Sequence, residues 1–345
     1  MIDPIRRLAP ILRLAPAKLN LTLAVARVRQ DGYHELHSVV VRLALCDRLS
    51  LALSSGRDDT LHVSGFEAGP SSDNLVLRAL DATRRAVGAG WAGAAAGAIG
   101  DARLAPVLAA RLDKRIPVAA GLGGGSSDAA VAMDGALEAW GAELNGDDRL
   151  NVALRLGSDV PFFLAGGAAL VEGRGERVMP LPDLRGDQPG VLLVTPDIRL
   201  STAEVFAAHA AGLGRGNAGA TRATSEHLAG ELRTGLKASD LLLRAGVLAS
   251  ANDLLGAAAV VLPEILTIRR RMARLLGRPV GLSGSGPTCW VLYPSLAETE
   301  EAASLVRDAF HDGRIPNPGG GRPFVGATTF AVNSRPGDAP DGGSR

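Results

Sequence analysis

The segment with most chemical promise is Pro117-Val118-Ala119-Ala120-Gly121-Leu122-Gly123-Gly124-Gly125-Ser126-Ser127, which runs into a helix-forming stretch, Ser126 to Trp140. Backbone N–H groups freed of Cβ atoms beside a positive helix terminus make a phosphate cradle that needs few basic side chains. No Lys follows the glycines as in the P-loop of ATPases, and Ser126 stands where the dinucleotide fingerprint has its last glycine. A bare glycine cluster also reads as a flexible loop. The leading Pro117, the paired serines and the helix behind them favour phosphate.

Four further segments could take part. Lys18, Lys114 and Lys237 are the lysines of a chain that otherwise uses Arg, and Lys18 stands near a strand start; a compact ammonium there can steady a point charge, although a lone strand lysine is more often solvated surface. Asp159 sits among apolar residues in Gly157-Ser158-Asp159-Val160-Pro161-Phe162-Phe163. It is expected to be partly desolvated and to need a cationic partner, or else to cap a short helix beginning at Pro161. Asp31-Gly32-Tyr33-His34 reads as a hairpin turn, while an aromatic beside an imidazole can also hold a planar base. Gly281-Leu282-Ser283-Gly284-Ser285-Gly286-Pro287 allows close backbone approach ahead of a strand, Thr288 to Tyr293, or makes an ordinary turn.

These segments need a scaffold, and the periodicity outlines one. Leu19 to Val28 and Leu36 to Leu53 alternate loosely, as two strands joined through Asp31-Gly32. Asn74 to Val87 has helical spacing with Ser72 and Asp73 as caps, followed by an Ala- and Gly-rich stretch, Gly88 to Gly100, expected as a loop insertion. Val107 to Leu112 is a short strand feeding the glycine segment. Asp147 to Leu156 is a second helix, with Gly157 as its expected left-handed cap. Ala168 to Val171 and Val191 to Thr195 are strands, and Leu181 to Gly190 between them is a candidate domain boundary. Helices are expected near Thr202 to Ala210, Ser239 to Leu255 and Leu262 to Leu276, with Gly212 to Ser225 a surface loop and Val332 to Arg345 disordered.

At 345 residues the chain exceeds the usual single-core size, so two domains are expected, spanning 1–187 and 188–333, with 334–345 as a tail. The net charge of +1 and the absence of long like-charge blocks argue against nucleic-acid or membrane partners. Cys46 and Cys289 show no disulfide or zinc spacing, and the six histidines do not cluster with acids, so no metal cage is indicated. No secretory signal or membrane-spanning run is present, which points to the cytoplasm.

Taken together, Ala15 to Leu21, Asp31 to Leu36, Lys114 to Ala130, Gly157 to Pro161 and Leu282 to Thr288 resemble, in order, the motifs of the galactokinase, homoserine kinase, mevalonate kinase and phosphomevalonate kinase (GHMP) superfamily. The resemblance implies a two-domain α+β fold, with an N-terminal domain like domain 2 of ribosomal protein S5 and a ferredoxin-like C-terminal domain. It implies ATP and Mg²⁺, with Pro117 to Ser127 holding the phosphates, Ser127 a candidate metal contact, and Lys18 and Asp159 flanking the acceptor hydroxyl. At finer grain the chain resembles the branch acting on a small molecule with a cytidine diphosphate moiety in the non-mevalonate isoprenoid route. Asn20, Tyr33 and His34 would then hold the substrate, with Thr202 and Phe206 at a second aromatic position. Homoserine-kinase-like chemistry and a non-catalytic nucleotide-binding protein are the alternatives. Departures from the family are the longer segments Gly88 to Ala105 and Gly212 to Ser225, and Ser38-Val39-Val40 in place of Thr and larger apolar residues.

Overall fold

The structure is a computed structural model and describes residues 9–67, 73–94, 105–214 and 216–332, without the side chains of 89–94. A seven-stranded sheet is organised on one long strand, β3 (His34–Leu53). It pairs antiparallel with β1 (Ile11–Asn20) and, through the Asp31-Gly32 turn, with β2 (Ala24–Val28). β4 (Thr60–Gly65) is followed by helix α1 (Leu75–Ala94), and β5 (Leu108–Lys114) leads through the glycine segment into α2 (Gly124–Trp140). Then come α3 (Gly146–Leu156), α4 (Val160–Ala165), β6 (Ala168–Gly173) and β7 (Arg177–Leu181). The path across the sheet is β4-β5-β3-β6-β7, with β4 and β5 parallel. Helices α1 to α4 cover one face, burying Leu49, Leu51, Leu80, Leu112, Met133 and Phe162 in one apolar cluster.

The second sheet begins with β8 (Gly190–Thr195), buried along its whole length. After it come α5 (Thr202–Ala210), α6 (Ala218–Thr234), α7 (Ala238–Leu243), α8 (Ala245–Ser250), α9 (Leu254–Val261) and α10 (Glu264–Leu276). The chain closes with β9 (Gly281–Leu282), β10 (Cys289–Tyr293), α11 (Leu296–His311) and β11 (Phe324–Thr329), giving an antiparallel sheet in the order β11-β8-β10-β9. The two sheets do not have wholly separate cores. Ala17, Leu19 and Val41 from the first share a buried cluster with Leu193, Leu228 and Trp290 from the second half.

Several sequence expectations need correction. Leu19 to Val28 is not one strand, because β1 ends at Asn20 and β2 starts at Ala24. α1 passes through Gly88 and Gly90 to Ala94, where the surrounding alanines outweigh the glycines. Its start is held by Asn74, whose Oδ1 accepts the Val76 N–H at 2.9 Å, and not by Asp73; Ser72 and residues 95–104 lie outside the described residues. Gly157 has φ 166°, which is extended backbone, so no left-handed cap is formed there. The expected loop Gly212 to Ser225 contains the start of α6, capped by Asn217. The buried residues of its first turns are polar, Thr221 and Ser225, and so gave no apolar periodicity there: Thr221 donates to Asp253 Oδ1 at 2.8 Å and Ser225 to Thr22 Oγ1 at 2.7 Å. Ser239 to Leu255 breaks into pieces of three helices at Arg244 and at Asn252, whose Nδ2 donates to the carbonyls of Leu282 and Gly284. Residues 333–345, expected as a disordered tail, lie outside the described residues.

Beneath the glycine segment three buried charges join β3, β5 and α2. Lys114 Nζ contacts Asp47 Oδ2 and, at 2.7 Å, Asp128 Oδ2, while Asp47 Oδ1 accepts the N–H groups of Arg115 at 2.5 Å and Ile116 at 2.8 Å. Burial lowers the affinity of Lys114 for its proton, but the two carboxylates outweigh it and hold the ammonium above its ordinary pKa. Burial pushes the Asp128 carboxyl up to about 7, with Lys114 opposing the rise and Asp47 adding to it. An aspartate in an unfolded chain titrates near about 4. Through the window from there to about 7 the folded protein keeps a proton that the unfolded chain has lost, so this group's contribution to stability falls as pH rises. Asp128→Asn cannot ionise, and its urea midpoint is expected to depend less steeply on pH across that window; parallel curves for the two proteins would refute the assignment.

Candidate active site

Between β5 and α2 the backbone alternates in hand. Ala119 (φ 54°), Gly121 (75°) and Gly123 (68°) take left-handed conformations, the geometry that turns successive N–H groups toward one side. The N-cap of α2 is Gly123, which has no side chain to cap with, whereas α3, α5, α6 and α11 are capped by Asn145, Ser201, Asn217 and Ser295. The first N–H groups of α2 have no intrahelical acceptor, so they are left for a ligand.

Glycine is required where this loop meets its neighbours. A Cβ on Gly121 would lie 2.3 Å from the Ser283 carbonyl oxygen, and one on Gly123 would lie 2.8 Å from Lys18 Cγ. Ser283 Oγ donates to the Gly121 carbonyl at 2.9 Å, and the Lys18 N–H donates to that of Leu122 at 2.8 Å. The loop is thereby joined both to β1 and to the glycine-rich segment of the second half.

Lys18, near the end of β1, is not a solvated surface lysine; its side chain is 6% exposed. Its ammonium donates to Asn20 Oδ1 at 2.6 Å and lies 3.6 Å from Asp159 Oδ2. Asp159 occupies the N-cap position of α4, but its side chain makes no capping bond. At 50% exposure its side chain is also less desolvated than expected, so the carboxylate remains open to an incoming group.

These residues line one cavity of about 560 Å³, together with Tyr33, His34, Gly121, Ser126, Thr202 and Phe206. The His34 and Phe206 ring centroids are 5.3 Å apart, His34 Nδ1 lies 3.0 Å from the Ala26 carbonyl, and Thr202 Oγ1 lies 2.9 Å from Ser285 Oγ. Pro117, Val118, Ala119, Ala120, Leu122, Gly123, Gly124, Gly125 and Ser127 do not line it. Ala120 and Leu122 point into the core, and Ser127 is fully buried.

Sequence reasoning missed Arg174, which lines the cavity and places its guanidinium 5.1 Å from the Tyr33 ring centroid. It also missed His209, whose ring stands 5.6 Å from that of His34. A single Arg in a Gly-Arg-Gly turn and a histidine on a short helix carry no local signal of either neighbour.

An uncapped helix terminus behind a glycine loop, beside a lysine–carboxylate pair, suits phosphoryl transfer. The GHMP kinases N terminal domain model matches residues 74–167. The homoserine kinase of Cytophaga hutchinsonii superimposes with a TM-score of 0.62 at 16% identity, covering 96% of this chain and 98% of its own; that likeness carries the two-domain α+β fold alone. A solved 4-(cytidine 5'-diphospho)-2C-methyl-D-erythritol kinase gives a TM-score of 0.64 at 31% identity, covering 93% of this chain and all of its own. The 4-diphosphocytidyl-2-C-methyl-D-erythritol kinase of Pelotomaculum thermopropionicum is 36% identical over 300 residues, 86% of this chain and 94% of its own length. That of Deinococcus radiodurans is 39% identical over 294 residues, 85% and 87%. The chain therefore belongs to the 4-diphosphocytidyl-2-C-methyl-D-erythritol kinase family within the GHMP kinases, and it is an ATP-dependent kinase.

The contact between Gly121 and Ser283 gives a direct test. Gly121→Ala adds a left-handed alanine and a clash with backbone, and is expected to weaken ATP binding by about tenfold or more in calorimetry. Gly277→Ala carries the same backbone strain (φ 62°) into open space and should bind ATP as the unsubstituted protein does. Equal affinities for both variants would remove the loop contact from the account.

Proposed function

We propose that the enzyme transfers the γ-phosphoryl group of ATP to the C2 hydroxyl of 4-diphosphocytidyl-2-C-methyl-D-erythritol, in the non-mevalonate route to isoprenoid precursors. The observation that carries this reading is the placing of Lys18 Nζ 3.6 Å from Asp159, beside the glycine loop, in a cavity that the His34–Phe206 pair also lines. Phosphoryl transfer has a loose transition state, so positioning and charge neutralisation carry most of the catalysis. Asp159 accepts the proton of the C2 hydroxyl, and Lys18 pairs with Asp159 and steadies charge on the transferring group. The N–H groups of the glycine loop and the start of α2 hold the ATP phosphates. Asn20 borders the acceptor end beside Lys18, while Tyr33, His34, Thr202 and Phe206 receive the cytosine.

Among the described residues no group of three or more His, Cys, Asp or Glu side chains could hold a metal ion, and Ser127 Oγ is buried without a hydrogen-bond partner. That arrangement fits Mg²⁺ arriving on the nucleotide, with Ser127 as the residue that would contact it, rather than a dedicated protein cage. When bound, the ion neutralises charge on the phosphates. Among the described residues no helix is long and apolar enough to cross a membrane. The enzyme is read as one of the cytoplasm.

A coupled ADP-release assay with 4-diphosphocytidyl-2-C-methyl-D-erythritol, homoserine and other small alcohols tests reaction and substrate together. Turnover that survives removal of the CMP moiety would favour a general alcohol kinase instead. In the same assay Asp159→Asn is expected to lower kcat by about 10²- to 10⁴-fold with ATP affinity nearly unchanged. Phe206→Ala removes an aromatic contact worth about 0.5–1.5 kcal/mol, so KM for the cytidyl substrate should rise by about two- to tenfold at similar kcat. An unaltered KM would remove Phe206 from the cytosine site.

A further inference from the structure

The proposed chemistry asks the Lys18 ammonium to stay in one place and to present a free N–H toward the acceptor. In the structure Lys18 donates to Asn20 Oδ1 at 2.6 Å, Asn20 Nδ2 donates to Ser38 Oγ at 2.9 Å, and Ser38 Oγ donates to the Thr22 carbonyl at 2.5 Å. All four residues are buried, with exposures of 5% for Lys18, 7% for Asn20, 2% for Ser38 and 1% for Thr22.

The two ends of this chain have fixed polarity. An ammonium can only donate, and a backbone carbonyl can only accept. Ser38 must therefore give its proton to Thr22, which leaves its oxygen to accept from Asn20. The Asn20 amide must then turn its NH₂ to Ser38 and its oxygen to Lys18. In the opposite orientation two N–H groups would face the ammonium, and Ser38 would have to donate to Asn20, abandoning the buried Thr22 carbonyl. Each fault leaves a desolvated polar group unpaired.

We propose that Ser38 is a positioning residue for phosphoryl transfer: its hydroxyl sets the orientation of the Asn20 amide and thereby the place of the Lys18 ammonium beside Asp159. Nothing about Ser38 itself touches the cavity, which Lys18, Asn20 and Asp159 line.

This inference rests on the kinase reading above, and the test separates the two. Ser38→Thr and Ser38→Val are nearly isosteric and share any crowding from the added methyl, so their ratio isolates the hydroxyl. Ser38→Thr is expected to keep kcat within about threefold of the unsubstituted enzyme. Ser38→Val is expected to lose about tenfold or more in kcat, with the Kd for ATP unchanged. In an Asn20→Ala background the difference between the two variants should vanish, because the hydroxyl acts through the amide. Equal kcat for Thr and Val variants, or an undiminished difference without Asn20, would overturn the proposal. The rates are read on whichever alcohol the unsubstituted enzyme accepts, so a wrong substrate assignment shows in that enzyme alone. Protection of the Asn20 side-chain amide protons from exchange gives a readout without turnover: it should persist in Ser38→Thr and be lost in Ser38→Val. Loss of protection in both would count against the relay, and so would protection in both.

Discussion

A buried ammonium is the constraint around which the site is arranged. Lys18 lies almost wholly out of water, and a cation there is tolerated only where oxygen acceptors replace its hydration. Asn20 supplies one at hydrogen-bond distance, and Asp159 supplies a compensating charge slightly farther off. The separation of 3.6 Å and the half-exposed side chain leave the Asp159 carboxylate open to the cavity.

That arrangement depends on parts drawn from both halves of the chain. β1 carries Lys18 and Asn20, and the turn before α4 carries Asp159. The glycine loop is held from below by the Lys114, Asp47 and Asp128 charges and from the side by the backbone of Ser283. α5 brings Thr202 and Phe206 across from the second sheet. The shared apolar cluster containing Leu19, Val41, Leu193 and Trp290 fixes the two sheets against one another, so the cavity is a product of packing between them.

Several failures of the sequence reading have a common cause. The first turns of α6 are buried through hydroxyls, which meet Thr22 and Asp253, and a search for apolar spacing passes over them. The break near Asn252 is set by partners distant in sequence, the carbonyls of Leu282 and Gly284. Lys114 drew notice as part of a motif, yet its burial between two carboxylates depends on Asp47, which lies on another strand. In each case the deciding partner is remote in sequence, where local periodicity carries no information.

By itself the sequence determined the glycine loop and its opening into a helix, since a run of glycines ahead of a helix-forming stretch dictates backbone freedom through local sterics alone. It also determined the order of the family's motifs, and with it the kinase class. Tertiary structure decided that Lys18 is buried, that Asp159 faces it without capping its own helix, and that His34 and Phe206 share one wall. Those facts depend on distances between side chains held by different elements, and such distances exist only after the sheets and helices have packed.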